Sequence, residues 1–143
     1  MENSEWNELF VRLKDQSLTI QVWQLEQPNP VALRCEQSRH RTLAHLRACQ
    51  EQWLAIVRHF MDRDNPSVKI LHPWRKFDHE LYASQDWAVH LERFMDDRAT
   101  WLSLEGRVDR ERGGKWNGKP DTIAGLTRRL ADHEAHHLRQ FTL

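Results

Sequence analysis

Cysteine is scarce in this chain of 143 residues, which contains only Cys35 and Cys49. A small secreted protein that depends on disulfides would carry more cysteines, so both residues are expected to be free thiols. The first residues lack a basic segment followed by an apolar one, and they give no sign of a signal peptide. No apolar run approaches the roughly 20 residues that span a bilayer. These absences predict a soluble cytoplasmic protein.

An excess of charge of either sign is also missing. The sequence has 21 lysines plus arginines and 21 aspartates plus glutamates, so its formal net charge is zero. Nucleic acids and anionic membranes attract proteins with a basic excess. The charge balance therefore argues against both as partners.

Glycine and proline are few, with five of each, and they cluster instead of spreading along the chain. Such clusters mark turns and loops. Between them, apolar residues recur at three- and four-residue steps, which is the spacing of an amphipathic helix. The sequence therefore predicts four helices. They cover about residues 4–26, 39–61, 84–105 and 121–141.

Four amphipathic helices can bury their apolar faces by packing around one shared core. A chain of this length suits a single compact domain, here residues 1–143. The predicted fold class is therefore an all-α four-helix bundle with long inter-helix loops. Within the loop at 62–83, the segment “SVKIL” favours a short extended piece.

Two of the nine histidines fall on the predicted core side of the last helix. The apolar rhythm of that helix continues directly to His133 and then to His137. Residues four apart differ by about 40° around a helix and by about 6 Å along it, so both rings can reach one ion. His136 points to another side and is predicted to be a flanking residue.

A metal site needs a further ligand from another segment. His45 is the strongest candidate, because it lies beside the apolar face of the second helix. His90, at the border of the third helix's apolar face, is a weaker one, and His40 is predicted to point away from the core. A metal-free cluster of hydrogen-bonded histidines is the alternative, since leaving each one unpaired in the core would cost roughly 1–3 kcal/mol.

The stretch “HEAHH” also contains the H-E-x-x-H motif of zinc peptidases. Those enzymes take a third ligand that is usually downstream, and only six residues follow His137. The chain also offers little strand to hold a peptide. Glu134 is turned by about 100° from His133 around the helix, which directs it away from an ion held by the histidines. These features argue against a peptidase.

Several other residues have a structural and a functional interpretation. Arg98 falls in the middle of the third helix's apolar face, where it either forms an ion pair or offers positive charge to an anionic substrate. Trp53, Trp87 and Trp101 are expected to fill the core, with a pocket lining as the alternative. Cys49 is expected to be a small buried residue, with proximity to a metal as the alternative.

The segment “LADHEAHHLRQF”, residues 130–141, resembles the closing helix of DinB-like proteins, the superfamily that also holds the YfiT-like thiol transferases. In that family an H-x-x-H-H-x-x-Q pattern ends the bundle, and Gln140 matches its glutamine. The segment “TLAHLRACQEQWL”, residues 42–54, resembles the family's second helix, where one histidine supplies the remaining ligand. The resemblance implies a divalent metal site with three ligands. These are His45, His133 and His137.

Three neutral imidazoles would leave an ion with its full charge and at least one open position, as in catalytic sites. Zinc, nickel and iron all suit such ligands. The resemblance implies a metal-dependent transferase or hydrolase that acts on a small molecule, with a low-molecular-weight thiol or water as the nucleophile. The alternative is a non-enzymatic metal-binding or stress-related interaction protein with the same bundle. The enzyme and the non-enzymatic protein could each form a homodimer through an exposed helix face.

Overall fold

The computed structural model describes residues 1–26, 38–79 and 81–142, with the side chains of His79 and Thr142 left out. This part of the chain is mostly helical. Its helices are α1 (Asn3–Leu25), α2 (Ser38–Asp62), α3 (Pro73–His79), α4 (Trp87–Leu102), α5 (Ile123–His137) and α6 (Arg139–Thr142), and a short 3₁₀ turn covers Tyr82–Ser84. Its strands are β1 (Ser67–Val68), β2 (Gly113–Trp116) and β3 (Lys119–Thr122). The prediction of a free thiol at Cys35 lies outside the described residues.

The long helices α1, α2, α4 and α5 correspond to the predicted segments. Helices α1 and α2 each pack against both α4 and α5. Their apolar faces meet in a larger cluster around α1, α2 and α5 and a smaller one near the end of α5. Each large apolar side chain that is fully buried there contributes about 1.5–3 kcal/mol. The mainly helical fold class is thus confirmed.

A small sheet departs from the all-α prediction. Strands β2 and β3 pair antiparallel, and β1 pairs parallel with β2. Asn117 and Gly118, at the tip between β2 and β3, have φ values of 50° and 80°. An Asn-Gly pair with positive φ at both positions makes a tight hairpin turn that matches the twist of its strands. The glycine-rich segment at 111–120 is therefore a hairpin, and the extended piece predicted in “SVKIL” is confirmed at Ser67–Val68.

The hairpin leads directly into α5, which carries two of the candidate ligands. Thr122 caps this helix, because its hydroxyl accepts a 3.0 Å hydrogen bond from the backbone N–H of Gly125. A cap of this kind typically contributes about 1 kcal/mol. Asp121 accepts hydrogen bonds from the backbone N–H of Thr122 at 2.8 Å and from Nε1 of Trp116 at 3.0 Å. The start of α5 is thus tied to the sheet.

Among the helices in the described part of the chain, none is both long enough and apolar enough to cross a bilayer.

Candidate metal centre

The rings of His45, His133 and His137 meet where α2 packs against α5. The ring centroid of His45 lies 5.1 Å from that of His133 and 5.0 Å from that of His137, and the centroids of His133 and His137 are 4.6 Å apart. The structure therefore brings together the three side chains that the sequence nominates as ligands.

The separation of two ring nitrogens tests whether the cluster can hold an ion. Nε2 of His45 lies 3.3 Å from Nε2 of His133. Two nitrogens bound to one tetrahedral zinc ion, at about 2.0–2.1 Å each, lie about 3.3–3.4 Å apart. The two imidazoles are thus already spaced as ligands of one ion. Nδ1 of His133 is buried and has no hydrogen-bond partner among the described residues, whether its Nε2 binds an ion or shares a hydrogen bond with His45.

Cys49 joins the cluster more closely than the sequence suggested. Its Sγ lies 3.5 Å from Nε2 of His45 and 3.9 Å from Nε2 of His133. The donor atoms of these three residues all lie within 4.8 Å of one another, a grouping that does not include His137. Cys49 is a free, buried thiol, as predicted, and it is also a fourth potential ligand.

The four donors form two matched pairs. His45 and Cys49 are one turn apart on α2, and His133 and His137 are one turn apart on α5. Residues with this spacing lie on the same face of a helix. Because the two faces pack against each other, the donors of His45, Cys49 and His133 converge, and the ring of His137 lies beside them.

Gln140 holds the end of the α5 region against α2. Its side-chain Oε1 accepts a 2.7 Å hydrogen bond from the hydroxyl of Thr42, and its backbone carbonyl accepts a 2.6 Å bond from Nε of Arg39. Both donors precede His45 on α2. The glutamine of the H-x-x-H-H-x-x-Q pattern therefore has a positioning role here, which the sequence alone did not assign.

Burial keeps the three imidazoles neutral. Desolvation, reinforced by the neighbouring histidines, lowers the pKa of His45 from 6.5 to about 3. Desolvation and the charges of His137, His136 and Arg129 lower the pKa of His133 to about 4. The pKa of His137 is also lowered, chiefly by desolvation and then by His136. Since a metal binds the neutral imidazole, no proton need be displaced from these rings near pH 7.

Burial shifts the pKa of the Cys49 thiol in the opposite direction. Desolvation, with a further contribution from the charge of Glu134, raises the pKa of Cys49 well above its ordinary value. Cys49 is therefore a protonated thiol unless a cation lies beside it.

Tryptophans hold two of the rings. Trp74 stacks on His45 with ring centroids 4.2 Å apart and an interplanar angle of 13°. Trp53 meets the ring of His133 edge-on at 5.3 Å. Trp74 was not among the residues nominated from the sequence, because α3 lies in a segment that was predicted to be a loop. The Pro73-Trp74 pair at a helix start was the available signal, since proline suits the first turn.

The cluster lies in the wall of a cavity of about 1040 Å³. Helices α2 and α5 contribute the four donors and Trp53. The segment around α3 contributes Trp74, and the hairpin contributes Trp116 and Lys119. Trp53 belongs to the buried core, as expected, and also lines the cavity. Trp87 and Trp101 are buried in the core, as expected.

Arg98 and Glu134 lie in the core, away from this cavity. Both are almost fully buried, and they form an ion pair. Arg98 also donates to Oε1 of Gln50 at 2.8 Å and to the carbonyl of Leu13 at 2.6 Å. The ion-pair interpretation of Arg98 is confirmed, and a role for it in binding a substrate anion is wrong. Glu134 points away from the histidines, which removes the base that a peptidase would need.

His90 and His40 belong to a separate buried cluster. His90 accepts a 3.1 Å hydrogen bond from Arg47 at Nδ1 and donates a 3.0 Å bond from Nε2 to the carbonyl of Tyr82. It is therefore not available as a ligand. The ring of His40 lies edge-on to His90 at 5.1 Å and is fully buried. The prediction that His40 points away from the core is wrong, because its ring packs against Trp87 and His90 of α4.

His136 stays outside the cluster, as the helical geometry predicts. It is exposed, and its ring centroid lies 5.2 Å from that of His137. It flanks the site without facing His45.

Comparison with known proteins adds no relative. No family model, curated protein or solved structure matches the chain.

Proposed function

We propose that this chain is a DinB-like metal-dependent enzyme, a transferase or hydrolase with a four-helix-bundle fold and a divalent ion held by His45, His133 and His137. One observation carries the proposal: paired donors on α2 and α5 face each other beside a large cavity, with two imidazole nitrogens 3.3 Å apart. The family assignment is supported by the H-x-x-H-H-x-x-Q pattern and by candidate ligands on the second and last of the four long helices.

The protein residues would position the ion and limit the access of water to it. The lowered pKa values keep the imidazoles in their binding form, and the stacked Trp74 restricts the orientation of His45. Trp53 shields the side of His133. A divalent ion in this place supplies a Lewis acid that activates water or a low-molecular-weight thiol. With three protein ligands, one position remains for the reacting molecule.

The cavity is suited to a small-molecule substrate. Ligand pockets typically measure about 300–1,000 Å³, and this one is slightly larger. Its lining combines three tryptophans and a few aliphatic side chains with a larger number of polar and charged groups, so a bound molecule would meet both kinds of surface.

A second function is favoured by the position of Cys49. If its sulfur binds together with the three imidazoles, the ion has four protein ligands and no open position. The distance of 3.5 Å from Sγ to Nε2 of His45 suits this arrangement, since a sulfur at about 2.3 Å and a nitrogen at about 2.05 Å from one tetrahedral ion lie about 3.6 Å apart. A closed set of this kind is typical of a structural or sensing ion, and the protein would then be non-enzymatic.

Elemental analysis of protein purified without a histidine tag tests the site. We expect about one divalent ion per chain in the wild type and loss of the ion in His45→Ala and His133→Ala. His136→Ala is the matched control, because this exposed histidine neighbours the cluster without facing it. Full metal content in His45→Ala would contradict the proposed site.

Replacement of Cys49 separates the two functions. In an open three-histidine site, Cys49→Ser retains the ion, and the cobalt-substituted wild type shows no sulfur-to-cobalt charge-transfer band. Loss of the ion in Cys49→Ser, together with such a band in the wild type, would support the closed site instead. Turnover of an electrophile with glutathione or water, absent in His45→Ala, would then establish an enzyme.

A further inference from the structure

The charged side chains that line the cavity do not all carry free charge. The lining contains three cations and two anions. These are Lys119, Arg128, Arg129, Asp121 and Asp132. Which of them faces a bound molecule depends on the partners that each already has.

Two of the five are engaged outside the cavity. Arg128 donates to the carboxylate of Glu5 on α1 at 2.9 Å. Asp132 accepts from Arg12, also on α1, at 2.9 Å. These two ion pairs connect α5 to α1. In each pair, the residue on α1 compensates the charge of the cavity-lining residue on α5.

The remaining anion is also satisfied. Both carboxylate oxygens of Asp121 accept hydrogen bonds, one from the backbone of Thr122 and the other from the indole of Trp116. Asp121 therefore acts as a structural acceptor that fixes the Trp116 ring in the cavity wall.

Arg129 and Lys119 are different, because neither forms an ion pair with any residue in the described ranges. The Arg129 guanidinium lies over the Trp116 ring, 5.2 Å from its centroid. Arg129 also precedes His133 by one helical turn, which places it about 6 Å along α5 from the candidate ligand. Its charge contributes to the lowered pKa of His133, as expected for neighbours. Because Asp121 accepts only from neutral donors and keeps its negative charge, the cations Lys119 and Arg129 leave the lining with a net positive charge.

We propose that the cavity binds a small molecule with a carboxylate or phosphate group on a flat apolar body. Lys119 and Arg129 would hold the anion, and Trp53, Trp74 and Trp116 would contact the body. This ligand would be the substrate class of the proposed enzyme. Binding of its anionic group depends only on Lys119 and Arg129, and the proposed function is needed only for the end of the molecule that would face the metal site.

The side chains fit this class of ligand for two reasons. A planar guanidinium recognises carboxylate and phosphate through paired hydrogen bonds, and the stack on Trp116 already restricts the Arg129 side chain. Tryptophan rings contact flat apolar groups favourably through their edges as well as their faces. Trp74 has His45 stacked on its ring and the Arg41 guanidinium 4.9 Å from its centroid, and it is still 37 % exposed, so its uncovered edge is available for such contact.

Calorimetric titration with naphthoate and its neutral amide, naphthamide, tests the inference. The two probes share the apolar body and differ in charge. We expect naphthoate to bind about tenfold more tightly, as one or two hydrogen bonds to a charged group would give. The preference should fall to about twofold in the Arg129→Gln, Lys119→Gln double variant. Arg128→Gln is the control, since it removes an equal charge whose partner is Glu5.

Titrations are run on both chelator-treated and zinc-loaded protein, and metal content is measured in parallel. A preference for naphthoate in the metal-free protein, lost in the double variant and kept in Arg128→Gln, supports the inference even if zinc does not bind. Equal affinity for the two probes, no binding of either, or an equal loss in Arg128→Gln would overturn it. Zinc binding without any anion preference would leave the metal site intact and refute only the substrate class.

Discussion

Removal of the Glu134 carboxylate tests whether this residue of the H-E-x-x-H motif is a catalytic base or a structural ion-pair partner. In a peptidase this glutamate would be the general base beside the ion, and its loss would abolish activity with little effect on folding. Here Glu134 is 1 % exposed and paired with Arg98, which is fully buried. We therefore expect Glu134→Ala to destabilise the fold and to leave the metal site occupied.

The magnitude follows from what the substitution leaves behind. Arg98 would keep its hydrogen bonds to Gln50 and Leu13 but lose its counter-charge in the core. Breaking a buried ion pair by removing one partner costs about 3–5 kcal/mol. Glu134→Gln keeps a hydrogen-bond acceptor and should cost less, about 1.5–3 kcal/mol. Against a typical total of about 5–15 kcal/mol, both changes are readily measured.

Urea denaturation of the metal-free protein, followed by circular dichroism, gives the free energy of unfolding. Asp132→Ala is the matched control, because this residue of α5 also pairs with an arginine but its side chain is 61 % exposed. An exposed pair contributes about 0–1 kcal/mol. The reasoning is refuted if Glu134→Ala and Asp132→Ala have equal effects, or if Glu134→Ala loses the ion while remaining folded.

Three further predictions concern the site and its supports. The pKa values of His45 and His133, about 3 and about 4, lie below the unfolded value of 6.5, so the unfolded chain binds more protons than the folded one. The metal-free protein should therefore lose stability as the pH falls from 6.5 towards 4. Urea midpoints that do not change with pH in this range would contradict this expectation. Trp74→Ala should weaken zinc binding about 3–10-fold in a competition titration, because the ring stacked on His45 is lost; unchanged affinity would count against it. Thr42→Val should cost about 1 kcal/mol and speed amide exchange around Gln140, whose side chain it bonds; wild-type exchange rates would argue otherwise.

The long helices and the convergence of the three histidines could be predicted from the sequence, because both follow from helical periodicity. His133 and His137 continue the apolar seam of α5, and a seam position faces the neighbouring helix in any packed arrangement. His45 could be nominated because it lies beside the apolar face of α2. The ligand role itself stays a prediction.

The contributions of the segments between the helices could not be predicted in this way. Trp74 reaches His45 from α3, a helix of seven residues that is too short for a clear periodic pattern. Cys49 was foreseen as buried, but its distance from Nε2 of His45 depends on the rotamers of both side chains. Trp116 and Lys119 enter the cavity only because an Asn-Gly turn folds the glycine-rich segment back on itself.

A crystal structure of the zinc-loaded protein, with anomalous data at the zinc edge, would show directly whether α2 and α5 share a divalent ion. We expect one strong peak about 2.0–2.1 Å from a ring nitrogen of each of His45, His133 and His137. A zinc-loaded crystal with no peak between these rings, or with its peak only at surface residues such as His136, would contradict the shared site.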